Sequence, residues 1–295
     1  MTESFGGVRS IGGSRGARRA VVYALLVVIS LIYAAPLVWM VSTSVKPSEQ
    51  TMVSPPRLLP EPASRTGEYA AENYGAVWND PAVNFPLYLR NTLVVTILAT
   101  VGCVVSSAVV AYGFARVPWR GRGFFFAVML ATMMIPFAVV MAPLYVLFSR
   151  LGLVGTFAPL WLPYWFGNAF SVFLLRQFYV TLPRELDEAA AIDGCSSWGT
   201  FWRVIVPLSR PALAVVALLH VTYMWNDFLA PLIFLTHRDQ FTLALGLHLY
   251  QSQAGNTPWN LLMAASVLVV APVMVVFFLA QRTFVQGVAA EGLKG

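Results

Sequence analysis

Long apolar segments dominate this chain and are separated by shorter polar ones. A helix needs about 20 apolar residues to cross a hydrocarbon core of about 30 Å. Six segments meet this requirement, and they occupy residues 21–43, 88–115, 124–149, 157–180, 209–236 and 259–281. Stretches such as 21–29 and 261–270 lack the alternation of a half-buried strand. The pattern predicts an all-α membrane protein with six transmembrane helices, since helices satisfy every backbone polar group within lipid.

Composition agrees with a bilayer as the solvent. Of the 295 residues, 58% are hydrophobic and only 11% are charged, which is too few charges to cover a water-soluble protein of this size. The net charge of +6 is concentrated in loops beside the predicted spans, so it requires no nucleic-acid partner.

Basic residues predict the orientation of the chain. With the N-terminus inside, thirteen of the nineteen Lys and Arg residues fall in cytoplasmic segments and six fall outside, as the positive-inside rule requires. Residues 1–19 are predicted to form a disordered cytoplasmic tail, residues 20–286 the transmembrane domain, and residues 287–295 a cytoplasmic C-terminal tail. The proline-rich segment 46–86 is predicted to be an extended, irregular connection on the outer side.

Cysteine and histidine residues give no sign of a disulfide or a metal site. Cys103 lies in the second predicted span and Cys195 in a polar loop, so the two are not expected to pair. His220, His237 and His248 have no Cys or carboxylate neighbours at the spacing of metal ligands. Each is therefore interpreted as a satisfied or solvated side chain.

The polar loop, residues 183–211, lies between the fourth and fifth predicted spans. Acidic residues follow Pro183 closely, as is favourable in the first turn of a helix. Gly194 can adopt a positive φ and end this helix, after which Ser196 or Ser197 can cap a second one. The aromatic and apolar residues of the second helix are predicted to face the bilayer: Trp198, Phe201, Trp202 and Ile205. On pattern alone, an amphipathic connecting helix in the membrane interface is an equally good interpretation.

A set of residues in the polar loop resembles the signature cytoplasmic loop of membrane subunits of ATP-binding-cassette importers. They match in identity and spacing: Glu188, Ala189, Ala190, Asp193, Gly194, Phe201, Ile205 and Pro207. Two residues depart from the usual pattern, Cys195 in place of Ala and Val206 in place of Leu. Other segments resemble the smaller of the two paired permeases of maltose-type sugar importers, namely Tyr112–Arg116, Phe173–Phe178, Trp225–Phe228 and the tail Gly287–Gly295. The resemblance covers roughly residues 20–295.

This resemblance implies the fold, partners and location of the chain. It implies a six-helix permease with a cytoplasmic coupling helix, in a bacterial or archaeal inner membrane. Its partners would be a second, homologous permease, an ATPase dimer and an extracytoplasmic solute-binding protein. The solute would be sugar-like, with a disaccharide, an oligosaccharide, a monosaccharide and glycerol phosphate all open.

The resemblance also assigns roles to residues. Glu188 would be the charged contact with the ATPase, while Ala189, Ala190 and Gly194 would allow close approach and the turn. The tail from Gly287, with Lys294 and Gly295, would reach toward the ATPase. ATP and Mg²⁺ would bind to the partner, because Lys46 and Lys294, the two lysines of the chain, do not follow P-loop spacing. The chain is therefore expected to be non-catalytic and to hold no cofactor.

Asp227 is the one clear acidic residue within a predicted span. A charge near the bilayer centre costs roughly 2.5–3.5 kcal/mol, so it should face protein or water. With Trp225 and Asn226 beside it, it is a candidate for the solute pathway, and a structural contact between helices is the alternative. In span three, Pro136 and Pro143 are predicted to bend the helix.

Two other functions remain as alternatives. A secondary transporter would need coupling carboxylates within the spans or repeated halves. A membrane-embedded transferase would need a clustered acidic or histidine-containing site. The acidic residues of the polar loop fit one short helix and lack paired metal-ligand spacing.

Overall fold

The computed structural model describes residues 12–251 and 257–292, and the regular elements of this part of the chain are helical. The α-helices are α1 (Gly12–Ser44), α2 (Thr66–Asn79), α3 (Phe85–Ala115), α4 (Arg122–Thr132), α5 (Phe137–Arg150), α6 (Ala158–Trp161), α7 (Ala169–Thr181), α8 (Glu185–Ile192), α9 (Ser197–Thr200), α10 (Val206–Leu208), α11 (Arg210–Trp225), α12 (Leu229–Phe234), α13 (Leu243–His248) and α14 (Trp259–Gly292). Short 3₁₀ helices occupy Ser48–Gln50, Ala63–Arg65, Leu162–Phe166 and Arg238–Gln240. One π-helical turn spans Phe201–Ile205. The chain divides into two compact units, residues 1–75 with 258–267, and residues 76–257 with 268–295.

Helix α1 belongs to the first unit, and from residue 20 to residue 41 it is apolar on all sides. None of its most apolar stretch, within Arg18–Ser44, is buried inside the chain. A helix with such a surface needs lipid or another protein around it. Its length and apolar sequence therefore fit a membrane span.

Polar side chains of the first unit fasten the segment that follows α1. The side-chain amide of Asn73 donates to the carbonyl oxygens of Ser44 and Lys46, at 2.9 and 2.8 Å. Asn260 donates to Asn73 Oδ1 at 2.8 Å. The buried Lys46 ammonium lies 4.6 Å from the centre of the Trp39 ring and donates to the carbonyl of Arg57. Desolvation on burial lowers the pKa of Lys46.

Helix α3 is the central element of the second unit. Small buried residues recur along it at intervals of four: Ala99, Cys103, Ser107, Ala111 and Ala115. Such a stripe allows neighbouring helices to approach closely in a membrane, and α7 and α11 pack against it. Gly102 extends this close packing, because a Cβ atom there would lie 2.2 Å from the Trp165 ring.

Hydrogen bonds also join α3 to its neighbours. Thr100 Oγ1 lies 3.2 Å from Nδ1 of His220 in α11, and Cys103 Sγ lies 3.3 Å from Ser171 Oγ in α7. Polar pairs of this kind satisfy groups that lipid cannot. Helix α3 is thus held on two sides by both packing and polar contacts.

Three of the six predicted spans are single helices, and three are interrupted. Helices Arg18–Ser44, Phe85–Ala115 and Trp259–Leu279 are each long and apolar enough to cross a membrane. The segment 124–149 is divided between α4 and α5, which meet at 95°. The segments 157–180 and 209–236 are also divided, the first at Gly167 and the second at residues 226–228. The prediction of a continuous helix is therefore wrong for each of these three segments.

Prolines and glycine account for the interruptions. Pro136 lies at the start of α5 and cannot donate a backbone hydrogen bond to the preceding turn, which confirms the bend expected there. Pro143 lies within α5, and no break occurs at it. Gly167 takes a φ of +97°, a value that favours glycine. Pro231 in α12 has no N–H to donate to the carbonyl of Asp227, four residues earlier.

Two expectations about the non-membrane segments change. Helix α1 begins at Gly12, so residues 12–19 are helical rather than disordered, and residues 1–11 lie outside the described part. The segment 46–86 contains α2, because its prolines flank residues 66–79 and leave that stretch free to form a helix. The irregular connection is therefore shorter than predicted.

Candidate functional site: the polar loop and the α11–α12 break

Helix α8 forms the first half of the polar loop. It begins at Glu185, and its first turn carries Glu185, Asp187 and Glu188, where negative charge is favourable. Asp193 caps the C-terminal end, and Gly194 follows with a φ of +78°. The helix, its acidic start and its glycine stop are thus confirmed.

Helix α8 has an inner and an outer face. Ala190 is buried, and Leu186 and Asp187 are half-buried on the same side. Glu188 and Ala189 are exposed on the other side, and Ile192 is 86% exposed. We call Glu185, Glu188, Ala189 and Ile192 the outer face. The adjacent alanines therefore point in different directions, and Ala189 alone of the two is accessible to a partner.

The second half of the polar loop packs inward through residues that were expected to face the bilayer. Ser196 caps α9 by accepting a hydrogen bond from the Gly199 N–H at 3.2 Å, as predicted. Phe201 and Ile205 are fully buried in a cluster with Tyr112 and Tyr179. The bilayer-facing assignment is wrong for these two residues, because the ends of α3 and α7 cover them.

Exposed aromatic residues remain on the other side of this second half. Trp198 and Trp202 are exposed, and their rings pack on that of Phe201 with centroids 5.5 and 5.0 Å away. Pro207 is exposed in α10. At Ser209 the chain turns, so that the segment Ser197–Leu208 meets α11 at 76°.

The α11–α12 break contains the three candidates for the solute pathway. Trp225 is buried, and its indole N–H donates to the carbonyl of Val269 in α14 at 3.0 Å. Asn226 is exposed and donates to the Thr222 carbonyl at 2.7 Å. Asp227 is half-buried, and its Oδ1 accepts from the Ala230 N–H at 3.2 Å. The three neighbours thus differ in what they can contact.

Each of these residues has a distinct capacity to bind a solute. Trp225 already uses its only polar hydrogen, so it serves as a contact between helices. Asp227 lies at a narrow crevice with Thr92, Thr96 and Thr242 and caps the turn into α12. Asn226 is exposed and uses one side-chain N–H for the Thr222 carbonyl, and it lies near the exposed Thr222 and Tyr223. Among the three candidates, Asn226 is the most accessible.

Comparison with known proteins decides the family. The profile of the family described as "Binding-protein-dependent transport system inner membrane component" matches residues 104–290, which include the whole polar loop. This chain belongs to that family. It is a multi-pass membrane permease component without catalytic activity of its own, and the sequence-based recognition is confirmed.

Curated relatives match over most of the chain. The permease is 34% identical to the arabinooligosaccharides transport system permease protein AraQ of Halalkalibacterium halodurans, over 90% of this chain and 93% of AraQ. It is 34% identical to the trehalose/maltose transport system permease protein MalG of Thermococcus litoralis, over 91% of this chain and 94% of MalG.

A solved structure supports the fold of this permease. A chain of a bacterial ABC transporter involved in the import of the acidic polysaccharide alginate superimposes with a TM-score of 0.76, covering 94% of this chain and 99% of that chain at 23% identity. The all-α importer-permease fold is thereby confirmed.

The C-terminal residues of the permease are described only in part. Helix α14 continues through Gly292, so Gly287 lies within a helix and the predicted boundary at residue 287 does not coincide with its end. Lys294 and Gly295 lie outside the described residues. Among the described residues, no group of three or more His, Cys, Asp or Glu side chains is placed to hold a metal ion.

Sequence reasoning missed two residues of the permease that hold the polar loop. Tyr112 and Arg116, at the end of α3, contact the loop on both sides of Gly194. Their hydrogen-bond partners lie 66 to 85 residues further along the chain, and the periodicity of the polar loop does not indicate such contacts. The one signal available in the sequence is their position within the segment Tyr112–Arg116, which carries part of the family resemblance.

Proposed function

We propose that this permease imports a sugar-like solute in a complex with a second permease, an ATPase dimer and an extracytoplasmic solute-binding protein. The polar loop and both termini lie in the cytoplasm, and the outer face of α8 docks into the ATPase. The observation that carries this docking role is the division of α8, whose inner face packs on its own chain while Glu188, Ala189 and Ile192 remain exposed.

Chemistry of the outer face supports a protein partner. Ile192 is a large apolar side chain left exposed beside two glutamates. An apolar anchor with charged neighbours suits a groove that has apolar walls and a basic rim. Ala189 lets a partner's backbone approach closely. Domain closure in the ATPase would then move α8 and switch the access of the transmembrane pathway.

The solute class rests on the relatives. Arabinooligosaccharides and trehalose or maltose are named for two proteins that are equally similar to this chain, at 34% identity each. Both named solutes are sugars, which favours a sugar as the solute of this permease. Because the two named sugars differ, we expect the binding protein to determine which sugar is carried. Measuring the ligand of the partner solute-binding protein would identify the sugar.

A charge reversal on the outer face tests the docking role. Glu188→Lys is expected to abolish ATP-driven uptake in proteoliposomes and to weaken co-purification of the ATPase. Glu72→Lys on the exposed surface of α2 is the matched control, and it should leave both unchanged. Unchanged uptake for Glu188→Lys would contradict the docking role.

A native thiol tests the orientation. Cys195 in the polar loop is partly exposed, whereas Cys103 is buried. A membrane-impermeant maleimide should therefore label the protein in inside-out vesicles and not in right-side-out vesicles. Labelling of Cys195 from the outside would overturn the topology.

Solute contact is assigned to Asn226 rather than to Trp225. Asn226→Ala is expected to raise the apparent KM for transport about tenfold, as loss of one hydrogen bond of about 1–1.5 kcal/mol predicts. Asp227→Asn tests the neighbouring position, and an unchanged KM there would confine solute contact to Asn226. An unchanged KM for both variants would remove this segment from the pathway.

Dependence on energy source separates this proposal from its alternatives. Uptake that requires both ATP and the external binding protein is expected. Uptake driven by an ion gradient without ATP would favour a secondary transporter, and transferase activity without uptake would favour an enzyme.

A further inference from the structure

Arg116 is a buried cation at the end of α3 that contacts the start of the polar loop. Its side chain is only 3% exposed. Nη1 donates to the carbonyl of Leu182 at 3.0 Å, and Nη2 donates to the carbonyl of Pro183 at 2.9 Å. Nε forms an ion pair with Asp187 Oδ2 at 3.2 Å. One planar side chain thus contacts the end of α7, the approach to α8 and the inner face of α8.

A guanidinium group suits this arrangement better than an ammonium group would. Its five N–H donors lie in one fixed plane and it stays charged at any accessible pH. Three acceptors from two consecutive elements are therefore held in a fixed relation to α3. A lysine would supply the charge without the geometry.

Tyr112 makes the corresponding contact on the other side of Gly194. It lies one helical turn before Arg116, and its hydroxyl donates to the carbonyl of Ser197 at 3.0 Å. Its ring packs on Phe201 with a centroid distance of 5.1 Å. Both halves of the polar loop are therefore fastened to the same end of α3.

We propose that Tyr112 and Arg116 are positioning residues that transmit movement of the polar loop to α3 during transport. This inference rests on the proposed docking of α8 with an ATPase. Movement of α8 would pull on Arg116 through Asp187, and movement of the second half would pull on Tyr112 through Ser197. Without these contacts, movement of the loop would reach α3 only through the packing of Phe201 and Ile205.

Helix α3 is the element best placed to receive that movement. It runs for 31 residues, or about 46 Å at 1.5 Å per residue, and could span the bilayer. Its stripe of small residues packs on α7 and α11, and Thr100 contacts His220 in α11. A displacement at Tyr112 and Arg116 would therefore reach the helix that leads to Asn226.

The ratio of solute transported to ATP hydrolysed distinguishes transmission from simple structural support. Arg116→Gln in the reconstituted complex is expected to keep ATP hydrolysis and ATPase co-purification while lowering this ratio about tenfold, a coupling free energy within the usual range. Arg116→Lys should recover only part of the loss, and Asp187→Asn should lose less than Arg116→Gln because the two carbonyl contacts remain. Arg120→Gln, at an exposed arginine of the same connection, is the matched control and should behave as the wild type.

Two results would overturn the proposal. In one, Arg116→Gln transports as many solute molecules per ATP as the wild type. In the other, Arg116→Gln loses assembly, hydrolysis and transport in equal proportion and Arg116→Lys restores all three, which would indicate structural support alone. Tyr112→Phe provides a milder variant, since it removes the hydroxyl contact with Ser197 and keeps the ring on Phe201.

Hydrogen exchange of the permease in nanodiscs tests the fastening independently of any ATPase. Peptides covering residues 182–201 should exchange at least about tenfold faster in Arg116→Gln than in Arg120→Gln. Equal exchange would overturn the fastening even if docking holds. Faster exchange, in a permease that fails to bind an ATPase, would instead show that the proposed docking function is at fault.

Discussion

The polar loop and the α11–α12 break both carry residues of the family resemblance, yet the two regions use them differently. In the polar loop, Glu188 and Ala189 are exposed while Phe201 and Ile205 are buried. At the break, Trp225 is buried and hydrogen-bonded to α14, whereas Asn226 is exposed and Asp227 is half-buried. Burial within each segment therefore decides which of the matched residues can meet a partner and which hold the segment in place.

The largest loss of stability is expected at the buried residues of the polar loop. Phe201→Ala should lower the free energy of unfolding by about 3–5 kcal/mol, because it removes a buried ring and leaves a cavity between α3, α7 and the loop. Trp202→Ala, at the exposed neighbouring ring, should cost much less. Thermal unfolding of the purified permease in nanodiscs measures the stability of both variants. Equal losses of stability would contradict the distinction between the buried and the exposed side of this segment.

A smaller loss is expected at the turn between the two halves of the polar loop. Gly194→Ala places a Cβ at a φ of +78°, which costs roughly 1–2 kcal/mol. The space around Gly194 is open, so backbone conformation alone accounts for the cost. Gly199→Ala lies in helical backbone with ordinary contact distances and should be neutral or slightly stabilising. If both variants unfold at the same temperature, positive φ is not what ends α8.

The smallest loss of stability is expected at the α11–α12 break. Trp225→Phe keeps an aromatic ring and removes the hydrogen bond to the Val269 carbonyl. Stability should fall by about 1 kcal/mol, while the apparent KM for transport stays at the wild-type value. A raised KM with unchanged stability would return Trp225 to the solute pathway.

Sequence reasoning recovered the local features of the molecule better than its tertiary contacts. The acidic start of α8, the stop at Gly194 and the cap at Ser196 follow from residue chemistry over a few positions. The burial of Phe201 and Ile205 depends on α3 and α7, which no local pattern reveals. For the same reason Arg116 could not be assigned to the loop, since its partners lie 66 to 71 positions further along the chain.

The prediction of membrane spans from the sequence is limited in the same way. Apolar length predicted six segments, and three of them coincide with single helices that are long and apolar enough to cross a membrane, because the hydrophobic requirement of lipid is a property of composition. It could not locate the break at residues 226–228, where Pro231 withholds a backbone donor and Asp227 caps the next turn. Breaks of this kind are tolerated only where protein or water covers the freed backbone groups, and that depends on tertiary structure.

Site-specific photo-crosslinking from α8 tests the central claim most directly. A photoreactive residue at Ile192, on the outer face, should crosslink to the ATPase subunit in the assembled transporter. The same residue at the half-buried Leu186 should crosslink within the permease and give no ATPase adduct. Crosslinking to the ATPase from Leu186, or none from Ile192, would contradict the division of α8 into a docking face and a fastened face.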